Sequence, residues 1–332
     1  MHLITRVKRN IQTAQFFGRG DTVIVGVSGG PDSVALTYVL HALQYEIGFH
    51  LHIAHYNHHL RRSANADQKF VESLAEKLNV PCSVGHWKDP KALKKGSIEE
   101  AARNHRFRFL NQLAKKINAY AVVLAHTEDD LAETVLMRIL RGTGLQGLRG
   151  ILPRRELDNV CFVRPLLNVK KETILTFLKR KNISFRIDPT NHQTKFFRNK
   201  VRLELMPLLA KKYNHNIQGL LTNLANNAGT DFDYLEKQSQ KLFEKHTKCA
   251  ADKTNVRIDL KVFSAQHPSL KRMLVRMGIQ LLKGNTNRLT LTHFHEIEDL
   301  LENRPKGTIV NLPQGIYIRK DIRYLLLSHN GS

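Results

Sequence analysis

The sequence predicts an α/β protein: a parallel sheet with helices on both faces, then a helical linker and a small α+β C-terminal domain. Three observations lead there. Apolar runs of strand length alternate with helix-period segments through residues 23–140. A long helical pattern fills 216–247, with a polar interruption at Asn226–Gly229. Beyond it, short apolar runs are set off by turn residues.

In chain order, strands are expected at Val23–Val27, Phe49–Ala54, Val80–Val84 and Tyr120–Ala125. Helices are expected at Val34–Leu43, Ala64–Leu78, Ile98–Ile117 and Glu128–Leu140. Within the second helix, Phe70, Val71, Leu74, Ala75 and Leu78 fall on one face at i, i+3/i+4 spacing. Repeated βα units imply parallel strands covered on both faces. In such sheets ligands bind at the carboxyl ends of the strands. Residues 149–212 read as mixed and basic, and a linker is placed near Lys211–Asn216. The last part carries a strand at Val256–Leu260 and helices at Leu270–Leu282 and Leu291–Leu301. Runs at Thr308–Leu312, Ile316–Arg319 and Tyr324–Leu327, around Pro313-Gln314-Gly315 and Lys320-Asp321, predict a small antiparallel meander. The domain limits are therefore 1–212, 213–247 and 248–332.

Composition narrows the function. At 332 residues, 42% apolar and 24% charged, the chain is a globular protein with room for two domains. Its apolar runs stop short of the ~20 residues of a membrane span. Met1–Arg9 has three basic residues and no apolar core behind them, so no signal peptide is expected. Cys82, Cys161 and Cys249 are widely spaced, which suggests neither a disulfide framework nor a Cys-x-x-Cys site. A reducing cytoplasm is the expected compartment, with no membrane partner. The net charge of +23 points to a polyanion. Residues 149–212 hold 16 Lys/Arg against 5 Asp/Glu, and so focused a patch favours nucleic acid.

The segment Ser28-Gly29-Gly30-Pro31-Asp32-Ser33 joins the first strand to the first helix. A helix N-terminus offers unpaired N–H groups and the positive end of a dipole, which together make an anion site. Gly29 and Gly30 admit a phosphate without a Cβ in the way. Ser28 and Ser33 add hydroxyls, and Asp32 can cap the helix or hold a metal. The Gly-Lys-Ser/Thr ending of a Walker A loop is missing.

Four further clusters fall near strand ends. His55-Tyr56-Asn57-His58-His59-Leu60-Arg61-Arg62 follows the second strand; its spacing matches no common zinc pattern, and a polar loop beside the nucleotide is the reading preferred. In Glu100–Phe107, Arg103 and Arg106 share a helix face and can meet a phosphate or carboxylate, or pair with Glu99 and Glu100. In His126-Thr127-Glu128-Asp129-Asp130-Leu131-Ala132-Glu133, the acids Asp129, Asp130 and Glu133 can converge with the phosphate loop to hold Mg²⁺ or an ammonium group. Plain helix capping and an ion pair with Arg138 would use the same acids. The four-glycine stretch Arg141–Gly150 reads as a mobile basic loop. Arg164-Pro165-Leu166-Leu167, Asp188–Asn191 and Arg198–Arg202 can grip a phosphodiester backbone or remain a solvated face.

Together, across about 20–212, these motifs resemble the tRNA(Ile)-lysidine synthetase family of PP-loop ATP pyrophosphatases; beyond 216 the similarity is loose. The resemblance implies a PP-loop (adenine nucleotide alpha hydrolase-like) catalytic domain over 1–212, a helical linker over 213–247 and a tRNA-binding domain over 248–332. The further C-terminal domain of longer members is expected to be lacking. It implies ATP and Mg²⁺ as cofactors, with tRNA(Ile) bearing a CAU anticodon and free lysine as partners. The wobble cytidine would be adenylated on its C2 oxygen, and the lysine amine would then displace AMP. Ser28–Ser33 and His55 would hold the nucleotide, with Asp32 and Asp129 at the metal. Asp130 and Glu133 would bind the lysine ammonium or take its proton. Arg103 and His126 would offset phosphate charge. Arg141, Arg164, Arg198, Lys200 and Arg202 would hold tRNA. The family's usual His and Gln are replaced here by Thr127 and Leu131, so neither is assigned a role. A PP-loop tRNA thiolase is a rival reading, but its cytidine-modifying members usually carry Cys-x-x-Cys pairs. A non-catalytic nucleotide- or RNA-binding module is the other. No heptad or large apolar patch demands a homodimer, which is left open.

Overall fold

A computed structural model describes residues 2–60, 63–87, 98–187, 196–252, 254–286 and 288–329. Arg61, Arg62 and Asp188–Asn191 lie outside the described residues, as does the Glu99 side chain. The chain divides into two units, 1–227 and 228–332.

In the first unit, α1 (Leu3–Thr13) precedes β1 (Thr22–Gly26), α2 (Pro31–Ile47), β2 (His50–Asn57), α3 (Ala64–Leu78) and β3 (Cys82–His86). Next come α4 (Ile98–Lys116), β4 (Ala121–Val123), α5 (Glu128–Leu140) and α6 (Leu145–Leu148). The hairpin β5 (Arg154–Leu157) and β6 (Val160–Val163) leads into α7 (Lys171–Arg180). After it, α8 (Phe197–Lys200), a single π turn and α9 (Met206–Lys212) form one irregular rod. Pro207 has no N–H to return to the carbonyl four residues earlier, so the regular ladder cannot run through this rod.

The sheet order is β3-β2-β1-β4-β6-β5. Every pairing is parallel except that of β5 with β6, so the predicted parallel sheet gains an antiparallel edge. Asp158 and Asn159, at φ +48° and +65°, make the tight hairpin turn between these two strands. Alternation sorts β1 onto two cores. Val23 and Val25 pack with Leu36, Leu40 and Val39 of α2, while Ile24 packs with Leu110 and Leu113 of α4. From β1 the chain steps out to β2 and β3, whereas β4 lies on its other side. The order therefore reverses between β1 and β4, and their carboxyl ends open a crevice there.

The helix α10 (Ile217–His246) runs through Asn226–Gly229 without a break. That expected interruption is corrected by periodicity: Leu221, Ala225, Ala228 and Phe232 are buried, while Asn226 and Asn227 fall on the exposed face.

In the second unit, β7 (Thr247–Cys249), β8 (Asn255–Asp259), α11 (Leu260–Ser264), α12 (Pro268–Lys283), α13 (Leu291–Glu302), β9 (Ile309–Leu312), β10 (Ile316–Lys320) and β11 (Tyr324–His329) follow. All its strands pair antiparallel, in the order β7-β8-β11-β10-β9. Alternate residues Val256, Ile258, Leu325, Leu327, Ile316 and Ile318 face a core shared with Leu274, Ile279, Phe294 and Ile297 of α12 and α13.

Candidate active site

The phosphate loop is built from its own hydroxyls. Ser33 donates to the Gly30 carbonyl at 3.0 Å and accepts the Ser28 N–H at 3.2 Å. The Ser28 and Ser33 oxygens lie 3.3 Å apart. Ser33 is buried and shapes the loop, whereas Ser28 is exposed above it. Gly29 has φ +87°, and a Cβ there would stand 3.5 Å from Arg186 Cγ. Pro31 opens α2, where its missing N–H costs nothing. His55 lies buried beneath the loop and donates Nδ1–H to the Val27 carbonyl at 2.8 Å; burial lowers its pKa. Arg186, which the sequence did not single out, donates its backbone N–H to the Gly29 carbonyl and its Nε–H to Asp67.

The histidines after β2 go to separate partners. His59 Nε2 meets His86 Nδ1 at 3.0 Å, and His58 packs on Tyr56 and Trp87. Among the described residues no group of three side chains has the arrangement of a metal site.

Across the crevice, α5 starts with a capping box. Thr127 accepts the Asp130 N–H, and Asp130 Oδ2 accepts the Thr127 N–H at 2.9 Å. The other Asp130 oxygen takes Arg198 Nη2 at 2.9 Å and Arg202 Nη2 at 3.2 Å. Glu133, one turn on and 3% exposed, accepts Arg198 Nε–H at 3.1 Å and Arg202 Nε–H at 2.6 Å. Burial opposes the Asp130 charge, but Arg198, the Thr127 N–H and Arg202 outweigh it and hold its pKa below the usual value. Arg198 and Arg202, expected at a tRNA backbone, are thus engaged by the acidic pair through their i, i+4 placement on one rod. Lys200 between them is exposed. The ion pair expected from Arg138 is not the one formed: its guanidinium donates to the Gly147 and Gly150 carbonyls at 2.6 and 2.9 Å, tying down the glycine stretch. Arg141 lies 4.9 Å over the Phe197 ring.

A cavity of about 110 Å³ joins the two halves, lined by Asp32, Asp129, Asp130, Glu133, Lys171 and Arg202 among others. Asp129 caps α7, accepting the Lys171 N–H at 2.8 Å, and takes Gln218 Nε2 at 3.3 Å. Asp32 lies 3.8 Å from Lys171 Nζ, and its Oδ1 is buried with no hydrogen-bond partner. Burial, opposed by Lys171 and reinforced by Asp130, pushes its pKa up to about 6. A carboxylate oxygen left unsatisfied at the mouth of a phosphate loop fits Mg²⁺, which takes one or two carboxylates beside substrate phosphates. Lys171 carries no sequence signal because the stretch that forms α7 is mixed and basic, and Gln218 carries none because it is one polar residue among several on α10.

On the β4–β6 side, arginines converge. Arg106 has a buried Nε without a partner, and burial with the charge of Arg103 pushes its pKa down to about 10. Arg138 is lowered by burial and by Arg103, Arg149 and Arg155. Arg103 sits 5.5 Å over the Phe107 ring. Mutual repulsion of this kind is relieved by an anion. Arg164, also expected at tRNA, is buried here and donates Nε–H to His126 Nδ1 at 3.2 Å.

Comparison with known proteins bears on the family and the fold. A family model described as the PP-loop domain matches residues 3–209. The tRNA(Ile)-lysidine synthase of Clostridioides difficile (strain 630) is 32% identical over 98% of this chain and 71% of its own length. The tRNA(Ile)-lysidine synthase of Clostridium tetani (strain Massachusetts / E88) is 35% identical over 95% of this chain and 66% of its own. Among solved structures, the U34-tRNA thiolase NcsA from Methanococcus maripaludis with its [4Fe-4S] cluster matches at a TM-score of 0.58 and 16% identity. That match covers 68% of this chain and 77% of the other, and shows a shared fold. In the described residues no helix is long and apolar enough to cross a membrane.

Proposed function

This chain belongs to the tRNA(Ile)-lysidine synthase family of PP-loop proteins, and we propose that it joins free lysine to C2 of the wobble cytidine in the CAU anticodon of tRNA(Ile), at the expense of ATP. The observation that carries the reading is the cavity in which the phosphate loop's Asp32 meets Asp130 and Glu133 at the sheet's reversal point. One side suits a polyphosphate and the other an ammonium group.

In the proposed first step the cytidine C2 oxygen attacks the α-phosphorus of ATP. The bond to the β-phosphate breaks, and pyrophosphate leaves on the N–H groups of the Ser28–Ser33 loop. Asp32 would hold Mg²⁺, which would supply charge neutralisation there. Arg103 and the Nε2–H of His126 stabilise charge on the α-phosphate. In the second step the lysine amine attacks C2, the C2–O bond breaks, and AMP carries the oxygen away. Splitting the reaction turns a poor leaving group into a good one. Asp130 and Glu133 hold the incoming ammonium in place of a guanidinium and take the proton that the amine loses.

Pyrophosphate release from ATP, measured with and without lysine and tRNA(Ile), tests the reading together with labelled lysine. Release that needs tRNA, with label entering the tRNA, is expected. Release without tRNA and without labelled product overturns it. The exposed Lys200 is the tRNA contact that can be probed without disturbing the acids. Lys200→Ala should lower the slope of log affinity against log salt by about 1 in a filter-binding titration; an unchanged slope removes Lys200 from the interface.

A further inference from the structure

The sequence groups Arg164 with residues that hold a phosphodiester, but its surroundings give it a different task. It follows β6 directly, and the parallel pairing that sets Val163 beside Val123 brings the ends of β6 and β4 together. Leu124 N–H donates to the Val163 carbonyl at 2.9 Å, so Arg164 and His126 leave adjacent strand ends side by side. Arg164 is 5% exposed. Its Nη1 donates to the Leu152 carbonyl at 2.8 Å, and its backbone N–H donates to the Pro153 carbonyl at 2.9 Å. The fork is therefore fixed from behind by the chain entering β5. Its Nε–H meets His126 Nδ1 at 3.2 Å.

A guanidinium has donors only. An imidazole nitrogen that receives its N–H must carry a lone pair, and a neutral ring then bears its single proton on the other nitrogen. We propose that Arg164 is a positioning residue for His126: it fixes the ring as the Nε2–H tautomer and keeps it a neutral donor to the reacting phosphate. The charge setting agrees. Burial comes first among the influences that push the His126 pKa down to about 3. Arg164, Arg106 and Arg198 push in the same direction, and Asp130 opposes them. A donor that never titrates in the working range serves the transition state without competing for a proton. The inference rests on the placement of His126 at the phosphate given above.

Nitrogen-15 NMR of the 332-residue chain, with histidine ring nitrogens labelled and His126 assigned through His126→Gln, reads the tautomer directly. Nδ1 should carry the unprotonated signal and Nε2 the protonated one across neutral pH. A protonated Nδ1 overturns the proposal, and this needs no Arg164 variant to fold. Arg164→Met should lower kcat for lysine transfer about 10–100-fold and leave the KM for tRNA within about threefold, by analogy with losses seen when the partner that orients a reacting group is removed. With the Arg164 charge gone, the His126 pKa rises, so kcat gains a second acid limb beyond the one that Asp32 gives the parent. Arg164→Lys, which keeps the charge and a donor, should restore part of kcat and remove that limb. A weaker tRNA KM with unchanged kcat makes Arg164 a tRNA contact and overturns the proposal. Full activity in His126→Ala, with the tautomer as stated, overturns instead the role of His126 in the reaction.

Discussion

Replacing Glu133 with glutamine is expected to lower lysine incorporation about 10²–10⁴-fold, the usual contribution of a group that moves a proton in the rate-limiting step, while tRNA affinity stays near that of the parent. The side chain is almost fully buried and sits where two guanidiniums converge. Glutamine has nearly the same shape, so the cavity keeps its outline. It cannot neutralise a cation or accept a proton from an attacking amine. Asp130 remains bound to both arginines, so Arg198 and Arg202 are only partly deprived. The stability cost should be about 1–3 kcal/mol, that of an imperfectly satisfied buried group. Labelled-lysine transfer, filter binding and a thermal melt separate these effects. Retained transfer in a folded variant excludes Glu133 from the chemistry, and lost tRNA binding would make its role architectural.

Asp32→Asn is expected to abolish tRNA-dependent pyrophosphate release and to make the protein more stable. The folded-state pKa of Asp32 is about 6, above its ordinary value of 3.8. The folded protein therefore binds this proton more tightly than the unfolded chain. Ionising Asp32 costs stability progressively as pH rises from 3.8 towards 6, and the full cost, about 3 kcal/mol, is present above that range. Asparagine removes it, and the melting temperature at neutral pH should rise by about 2–4 °C per kcal/mol regained. At acidic pH, where the parent's carboxyl is itself protonated, the two proteins should melt together. In the parent, pyrophosphate release should fall as pH drops through about 6, because the neutral acid is a poor ligand for Mg²⁺. An Asn variant that is less stable at neutral pH, or that still releases pyrophosphate, contradicts this account.

Much of the first unit was legible because its signals are local. The strand–glycine–helix transition at Ser28–Ser33 and the acidic helix start at Asp129–Glu133 each specify their own geometry, and the sheet order then brings them together. The β5–β6 hairpin and α7 were hidden in a stretch dominated by lysine and arginine, whose turn, Asp158-Asn159, was not read as one. Helix α1 carries a weak signal because its buried residues Leu3, Val7 and Ile11 are separated by basic ones. The partners of the acids were missed for a different reason. Arg198 and Arg202 lie some 65 residues after Glu133, and nothing local distinguishes an arginine that meets a carboxylate from one that meets a phosphodiester. Arg138 illustrates the converse: it lies five residues after Glu133 on the same helix, which suggests a pair, yet two glycine carbonyls claim it.

The acids around the cavity are already balanced, Asp130 and Glu133 by Arg198 and Arg202, and Asp32 in part by Lys171. A cationic substrate entering there exchanges one counterion for another, as on an ion-exchange resin. The affinity for that substrate is then the small difference between two similar contacts, which favours easy turnover over tight retention.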